Sequence, residues 1–188
     1  MRITGGEFGG RNLKVPKSDA IRPTQDRVRE ALFSIIQFEI AGSDFLDLFA
    51  GSGAVGLEAL SRGAKSVTFV EQNRRHLAVL QENLGTIVGR TRDARRETVG
   101  ADAYRWLSTY SGPGFTIGFA DPPYALGEEK GHASVLATLA ERGVIRPGGL
   151  FIAEMTAVQK PEETPGWELV RDRTYGKTRI CMWRRLKG

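Results

Sequence analysis

Between residues 44 and 156 short apolar runs alternate with stretches of helical spacing, and this rhythm restricts the possible folds more than any other feature of the chain. DFLDLF is followed by a helix expected from about Gly53 to Arg62, and SVTFVE by one around RRHLAVLQENL. A short strand near ETVG leads to DAYRWLSTY, FTIGFAD leads to ASVLATLAERG, and GGLFIAEM ends the series. Strands joined through helices run parallel, because each crossover returns the chain to the same end of the sheet, and the helices then cover both faces. The expectation is a doubly wound α/β fold. The rhythm breaks at the end, where WELVRDRTY and KTRICMWRR meet at Gly176 with no helix between them; they predict an antiparallel hairpin closing one edge of the sheet. At the start, RITGGEFGGRNLKV is strand-like around glycine pairs and predicts a small N-terminal β-hairpin, an extension over residues 1–22. TQDRVREALFSIIQFE then places Val28, Leu32, Ile35 and Ile36 at helical spacing, with Thr24 as the expected N-cap.

The 188 residues suffice for one domain with a full core and are too few for two substantial ones, so 1–188 is expected as a single domain. With 40% hydrophobic and 26% charged residues the chain belongs among ordinary globular proteins. The N-terminus carries no apolar leader and no stretch approaches a membrane span, so a cytoplasmic protein without membrane association is expected. The lone cysteine, Cys181, has neither a disulfide partner nor a CxxC neighbour; a plain sheet or core position is expected for it, and no structural metal. The formal net charge is +5, concentrated at the two ends: Arg171, Arg173, Lys177, Arg179, Arg184, Arg185 and Lys187 against Asp172, and Arg2, Arg11, Lys14, Lys17, Arg22, Arg27 and Arg29. Such clusters suit a nucleic-acid partner, and equally suit two solvated faces or, for Arg27 and Arg29, salt bridges across a helix.

The stretch DLFAGSGAVG, residues 47–56, ends a strand and opens a helix, and its last six residues fit G-x-G-x-x-G. Glu71 ends the next strand 20 positions after Gly51, as an acid that accepts from ribose hydroxyls should. These features alone fit a nicotinamide dinucleotide. Asp47 opposes it, because its carboxylate should point to where a pyrophosphate would lie, and two like charges about 4 Å apart at an effective dielectric of about 20 repel by roughly 4 kcal/mol. A cationic nucleoside without phosphate is favoured, and S-adenosylmethionine answers that description. Asp102, after the third strand, is placed to bond an adenine amino group or, alternatively, to cap the helix that follows it.

The fourth strand ends in Asp121-Pro122-Pro123-Tyr124. An exocyclic amine is a poor nucleophile while its lone pair is conjugated with the base, so a site that methylates it needs acceptors for both N–H groups. The Asp121 carboxylate and the Pro122 carbonyl supply two such acceptors, the prolines restrict the loop, and Tyr124 can stack on a base, a contact worth about 1–3 kcal/mol. The base would have to be single-stranded or flipped out to enter.

These residues together are similar to the amino-methyltransferases of the class I S-adenosylmethionine fold, whose hallmark is Asp or Asn, two prolines and Tyr or Phe after the fourth strand. IRPTQDRVREALFSII, DLFAGSGAVGLEALSRGAKSVTFVE, the DPPY tetrad and the terminal YGKT narrow the likeness: over nearly its whole length the chain resembles the RsmD family. The resemblance implies a Rossmann-like, mostly parallel seven-stranded sheet with an antiparallel C-terminal hairpin and a small N-terminal β-hairpin. It implies an S-adenosylmethionine-dependent methyltransferase acting on N2 of guanine 966 in 16S ribosomal RNA of the assembling small subunit. It places cofactor binding at Asp47, Phe49, Gly51, Gly53, Glu71, Gln72, Asp102 and Ala103, and catalysis at Asp121, Pro122, Pro123 and Tyr124. Arg11, Arg22, Arg27 and Lys177 are the candidates for RNA contact, Arg22, Thr24 and Arg27 bordering the cofactor or target pocket; no metal is implied, and a monomer is expected. An adenine-N6 or protein-glutamine methyltransferase would use a similar tetrad, an NAD-dependent oxidoreductase would use GSGAVG, and a non-catalytic RNA-binding factor would need only the basic ends.

Overall fold

A computed structural model of the chain describes residues 1–16, 23–88, 94–122 and 132–187, with the backbone alone given for 23–25 and 132. Its strands are β1 (Asp44–Leu48), β2 (Ser66–Val70), β3 (Arg95–Val99), β4 (Phe115–Ala120), β5 (Ile145–Thr156), β6 (Trp167–Tyr175) and β7 (Thr178–Arg185). The helices are α1 (Pro23–Ile35), α2 (Ala54–Ser61), α3 (Arg74–Asn83), α4 (Ala103–Thr109) and α5 (His132–Glu141), with a π-helical turn, Leu84–Val88, continuing α3. The strand order is β3-β2-β1-β4-β5-β7-β6. β1 pairs with β2, β2 with β3 and β4 with β5 in parallel, while β7 pairs antiparallel with both β5 and β6. The seven-stranded, mostly parallel sheet with an antiparallel C-terminal hairpin is the architecture that the alternation predicts.

The chain divides into two compact units, Met1–Ala101 and Asp102–Gly188. In the first, DFLDL and SVTFV are buried at every position after the first, as strands covered on both faces must be. Helix α2 packs tightly on β2: a Cβ on Gly56 would lie 2.2 Å from the Phe69 ring, so the third glycine of GSGAVG is required by packing. The N-terminal segment folds back on itself as the expected small hairpin: Arg2 and Asn12 form an antiparallel bridge, and its arms are joined by hydrogen bonds from the Ile3 N–H to the Arg11 carbonyl at 3.0 Å, from the Gly10 N–H to the Ile3 carbonyl at 2.9 Å and from the Leu13 N–H to the Met1 carbonyl at 3.0 Å. It is anchored by the burial of Ile3, Phe8 and Leu13 and by Glu58 on α2. That fully buried carboxylate accepts from the Thr4 N–H and hydroxyl, both at 2.8 Å, from Arg62 Nε at 2.8 Å and from Arg29 Nε at 3.5 Å. A buried charge persists only with such compensation.

Arg29 is itself buried and also bridges to Asp26 at 3.1 Å. Helix α1 begins at Pro23, so Thr24 lies inside its first turn and is not its cap; proline suits the first helical position because its missing N–H would have had no partner there. Val28, Leu32 and Ile36 are buried as their spacing predicts.

In the second unit β5 is longer than GGLFIAEM suggested, reaching back to Ile145, and β6 and β7 are joined by the two residues Gly176 and Lys177. Cys181 is buried in β7, as expected, and burial together with Asp172 pushes its thiol up to about 12. Asp172 and Arg179 form a two-pronged pair at 2.7 and 2.6 Å across the hairpin, and Arg179 Nη1 donates to the Gln159 carbonyl at 2.7 Å. No helix among the described residues is long and apolar enough to cross a membrane.

Candidate functional site

In the first unit the chain leaves β1 through a tight loop. Phe49, at φ 60, is the non-glycine residue with left-handed backbone among those described, a conformation costing of order 1–3 kcal/mol that surrounding structure must hold. The hydrogen bonds from Ala50 N–H to the Val70 carbonyl at 3.1 Å and from Gly53 N–H to the Ala50 carbonyl at 2.8 Å hold it. Gly51 and Gly53 follow at φ 56 and 84, where a side chain would add further strain.

The two strand-end acids are built into this loop. Glu71, buried, accepts from the Gly51 N–H at 2.8 Å with one oxygen and from the Asn73 N–H at 2.7 Å with the other. Asn73 in turn caps α3, accepting from Arg75 N–H at 2.9 Å. Asp47, 1% exposed, accepts from the Gly56 N–H at 2.8 Å. Part of its capacity is therefore committed to the first turn of α2, whose amides lack intrahelical partners, in addition to any attraction it exerts on a ligand. Asn83, which the sequence reading did not single out, clamps the loop from the side: its amide donates to the Ser52 and Lys14 carbonyls at 2.9 Å and accepts from the Lys14 N–H at 2.9 Å. The space around Gly51 is open, with no atom within 4 Å of where a Cβ would stand. Gln72, next to Glu71, is exposed.

In the second unit Asp102 caps α4, accepting from the Arg105 N–H at 2.8 Å, so the capping alternative is realised. Ala103 is buried at the first position of that helix, and burial together with Asp102 raises the Tyr104 phenol.

Asp121 follows the last residue of β4. It is exposed at the surface, yet desolvation by the protein around its carboxyl pushes its pKa up to about 6. Pro122 is half-buried; Pro123 and Tyr124 lie outside the described residues. The register pairs Ala120 of β4 with Ala153 of β5, which sets Glu154 beside Asp121 at the same strand-end level. Burial first, and the Asp121 charge second, push Glu154 up to about 8, against the effect of a hydrogen bond from the Thr178 hydroxyl at 3.5 Å. Glu154, like Asn83, was not singled out by sequence reasoning. Its only signal was an acid interrupting the apolar run GLFIAEM, and the partner it faces is some thirty residues away along the chain.

The RNA-contact candidates are dispersed. Arg11 lies over the Phe8 ring at 5.1 Å and donates to the Ile87 carbonyl. Arg27, exposed on α1, lines a cavity of about 490 Å³ with Arg2, Thr4, Asp26 and Glu30. Lys177 is exposed at the β6–β7 turn, and Arg22 lies outside the described residues. Arg11 and Arg27 thus sit in the first unit and Lys177 in the second.

Comparison with known proteins places these features in a family. The family model described as Conserved hypothetical protein 95 matches residues 1–184. The chain is 36% identical to "Ribosomal RNA small subunit methyltransferase D" of Haemophilus influenzae, covering 94% of this chain and 89% of that one. It is likewise 36% identical to the protein of the same name from Escherichia coli K12, covering 98% and 90%. Among solved structures, "Putative methyltransferase yhhF" from Escherichia coli superposes with a TM-score of 0.86 at 34% identity over 100% of this chain and 99% of that one. Another solved structure, a putative methyltransferase, SMU.776, complexed with SAH, shares the fold at 18% identity and a TM-score of 0.67, covering 87% of this chain and 50% of that one. The chain belongs to the family described as Conserved hypothetical protein 95, the RsmD family that its signature runs resemble.

Proposed function

We propose that the protein transfers a methyl group from S-adenosylmethionine to N2 of guanine 966 in 16S ribosomal RNA of the small subunit. The coarser part of this reading, methylation of small-subunit ribosomal RNA, is supported by family membership and by the names of relatives 36% identical over nearly the full chain. The observation that carries the chemistry is Asp121, a carboxyl directly after β4 and immediately before Pro122, with its pKa raised by desolvation to about 6. It combines an acceptor for a target N–H with a basicity closer to neutrality than that of an ordinary aspartate.

The residues fit the cofactor. Open space at Gly51 admits a ligand against the backbone, the Glu71 carboxylate beside it has lone pairs beyond the two amide hydrogen bonds for ribose hydroxyls, and the acidic surroundings of the loop favour a cation over a pyrophosphate. When bound, the cofactor supplies a methyl group on a cationic sulfur. Asp121 and the Pro122 carbonyl accept the two N–H bonds of the guanine amine, turning its lone pair towards that methyl. Forming the C–N bond would break the C–S bond of the bound cofactor and leave its sulfur as a neutral thioether, and the amine's surplus proton would pass to the Asp121 carboxylate. Tyr124 stacks on the flipped base, and Arg11, Arg22, Arg27 and Lys177 neutralise phosphates. Catalysis rests on orientation and proximity.

Incubation of the protein and labelled S-adenosylmethionine with small subunits lacking the modification, followed by mapping of the label, tests the reading. One labelled guanine, modified at N2, is expected. Label on adenine or on ribosomal protein, or no transfer, would overturn it.

A further inference from the structure

Three strands bring an arrangement to the C-terminal end of β4 that the methyl transfer as described does not use. Residues paired across a sheet point to one face, so the pairs Phe119 with Ile152 and Ile180 with Glu154 place Asp121, Glu154, Thr178 and Ile180 on a common face of β4, β5 and β7. On β6 the same face carries Arg173, opposite Ile180, and Tyr175, opposite Thr178. Arg173 is exposed and its guanidinium donates to the Asp172 carbonyl at 3.0 Å. Arg179, Cys181 and Asp172 occupy the opposite face, where the acid and the guanidinium pair with each other. The charged group facing Glu154 from β4 is therefore another carboxyl, Asp121, and the polar group facing it from β7 is the Thr178 hydroxyl.

Two carboxyls side by side in a partly desolvated place do not both ionise at neutral pH. The favourable state holds one proton between them and one net negative charge. We infer that Glu154 is a positioning residue for the methyl transfer: it keeps a proton shared with Asp121 and so presents a single, oriented carboxylate oxygen to the target amine. This rests on the proposed function. Thr178, donating to the Glu154 oxygen, holds the outer end of the pair in place, which gives the YGKT run a task. The values of about 6 for Asp121 and about 8 for Glu154 agree with a singly protonated pair at neutral pH. In the transfer the pair takes up the second proton, that of the methylated amine, and returns it to solvent before the next cycle. Above about pH 8 the shared proton is lost, the two charges repel, and the orientation of Asp121 is lost with them.

The test is a comparison of the wild-type protein with the Glu154→Gln and Glu154→Ala variants in methyl transfer to unmodified small subunits, from pH 6 to 9.5. Glutamine mimics the protonated acid, so Glu154→Gln should stay within about threefold of wild type at pH 7 and lose the fall in rate that wild type shows as pH rises through about 8. Glu154→Ala should lower kcat on the order of tenfold to a hundredfold, the scale expected when a reacting group is misoriented, with KM for cofactor and subunit little changed. An alkaline limb identical in wild type and Glu154→Gln, or an alanine variant of normal kcat, would overturn the inference.

Carbon-13 NMR of the carboxyl groups in the resting protein gives a readout that needs neither turnover nor the alanine variant. Two coupled titrations in wild type, replaced by a single one in Glu154→Gln, support the pair; two independent titrations below about pH 5 sink it. Coupled titrations in a protein that transfers no methyl group would uphold the pair and overturn the function.

Discussion

The protein ends neighbouring strands with acids in two different ways. In the first unit, Asp47 and Glu71 turn their carboxylates on backbone N–H groups, those of Gly56, Gly51 and Asn73. In the second, Asp121 and Glu154 stand beside each other on adjacent strands, and the charge of Asp121 acts on Glu154. Amide donors favour the charged carboxylate and lock loop geometry, whereas a like-charged neighbour in a desolvated place favours a retained proton. In the proposed reaction, acids near strand ends would thereby serve two tasks, attracting a cationic cofactor in one place and taking up a proton from an amine in the other. The lesson is that the partner of a strand-end acid, more than its position, decides its chemistry.

The sharpest way to break this contrast is Asp121→Ala. Methyl transfer should fall by roughly 10³-fold or more, since both an N–H acceptor and the proton acceptor are lost, while cofactor affinity measured by calorimetry stays within about threefold. Near-normal turnover would remove the proposed chemistry.

Asp47→Ala should give the converse pattern with a smaller effect. Cofactor affinity drops on the order of tenfold, and chemical denaturation shows a loss of about 1–3 kcal/mol, because the buried Gly56 N–H is left without its acceptor. Unchanged affinity in a folded variant would mean that Asp47 serves only the turn into α2.

The smallest effect is on stability against pH. Glu154 has a folded-state pKa raised from 4.5 to about 8, so the folded protein binds more protons than the unfolded chain in that window. Stability must then fall as pH rises from about 4.5 to about 8, with the whole penalty present above it. Glu154→Gln should remove most of that slope, so that its melting temperature exceeds that of wild type by a few degrees at pH 9 and the advantage shrinks towards pH 5. Parallel melting curves for the two proteins across this range would show that Glu154 does not hold its proton.

Much of the fold was legible because strand and helix periods are local signals. DFLDL, SVTFV and FTIGFA announced themselves as buried strands, and WELVRDRTY with KTRICMWRR as a hairpin, through residue order alone. The candidate acids Asp47, Glu71, Asp102 and Asp121 were legible for the same reason, since each ends or follows a recognisable strand. Where the local signal was thin, the reading missed. RITGGEFGGRNLKV does fold back as the hairpin that its strand-forming ends predict, but what anchors it, Glu58 on α2 and the burial of Ile3, Phe8 and Leu13, was not legible. Thr24 looked like a cap because caps are recognised by residue type, while the proline before it was the true start.

Sequence by itself determined the order of elements, the parallel character of most of the sheet, the glycine loop and which acids close the strands, because these follow from spacing and from the chemistry of single residues. Tertiary structure alone decided what each acid faces. Asn83 reaches the Ser52 carbonyl from 31 positions away and Glu58 gathers donors up to 54 positions off, and the register of Ala120 with Ala153 puts Glu154 beside Asp121. Charge compensation depends on distance in space, and a sequence records only distance along the chain.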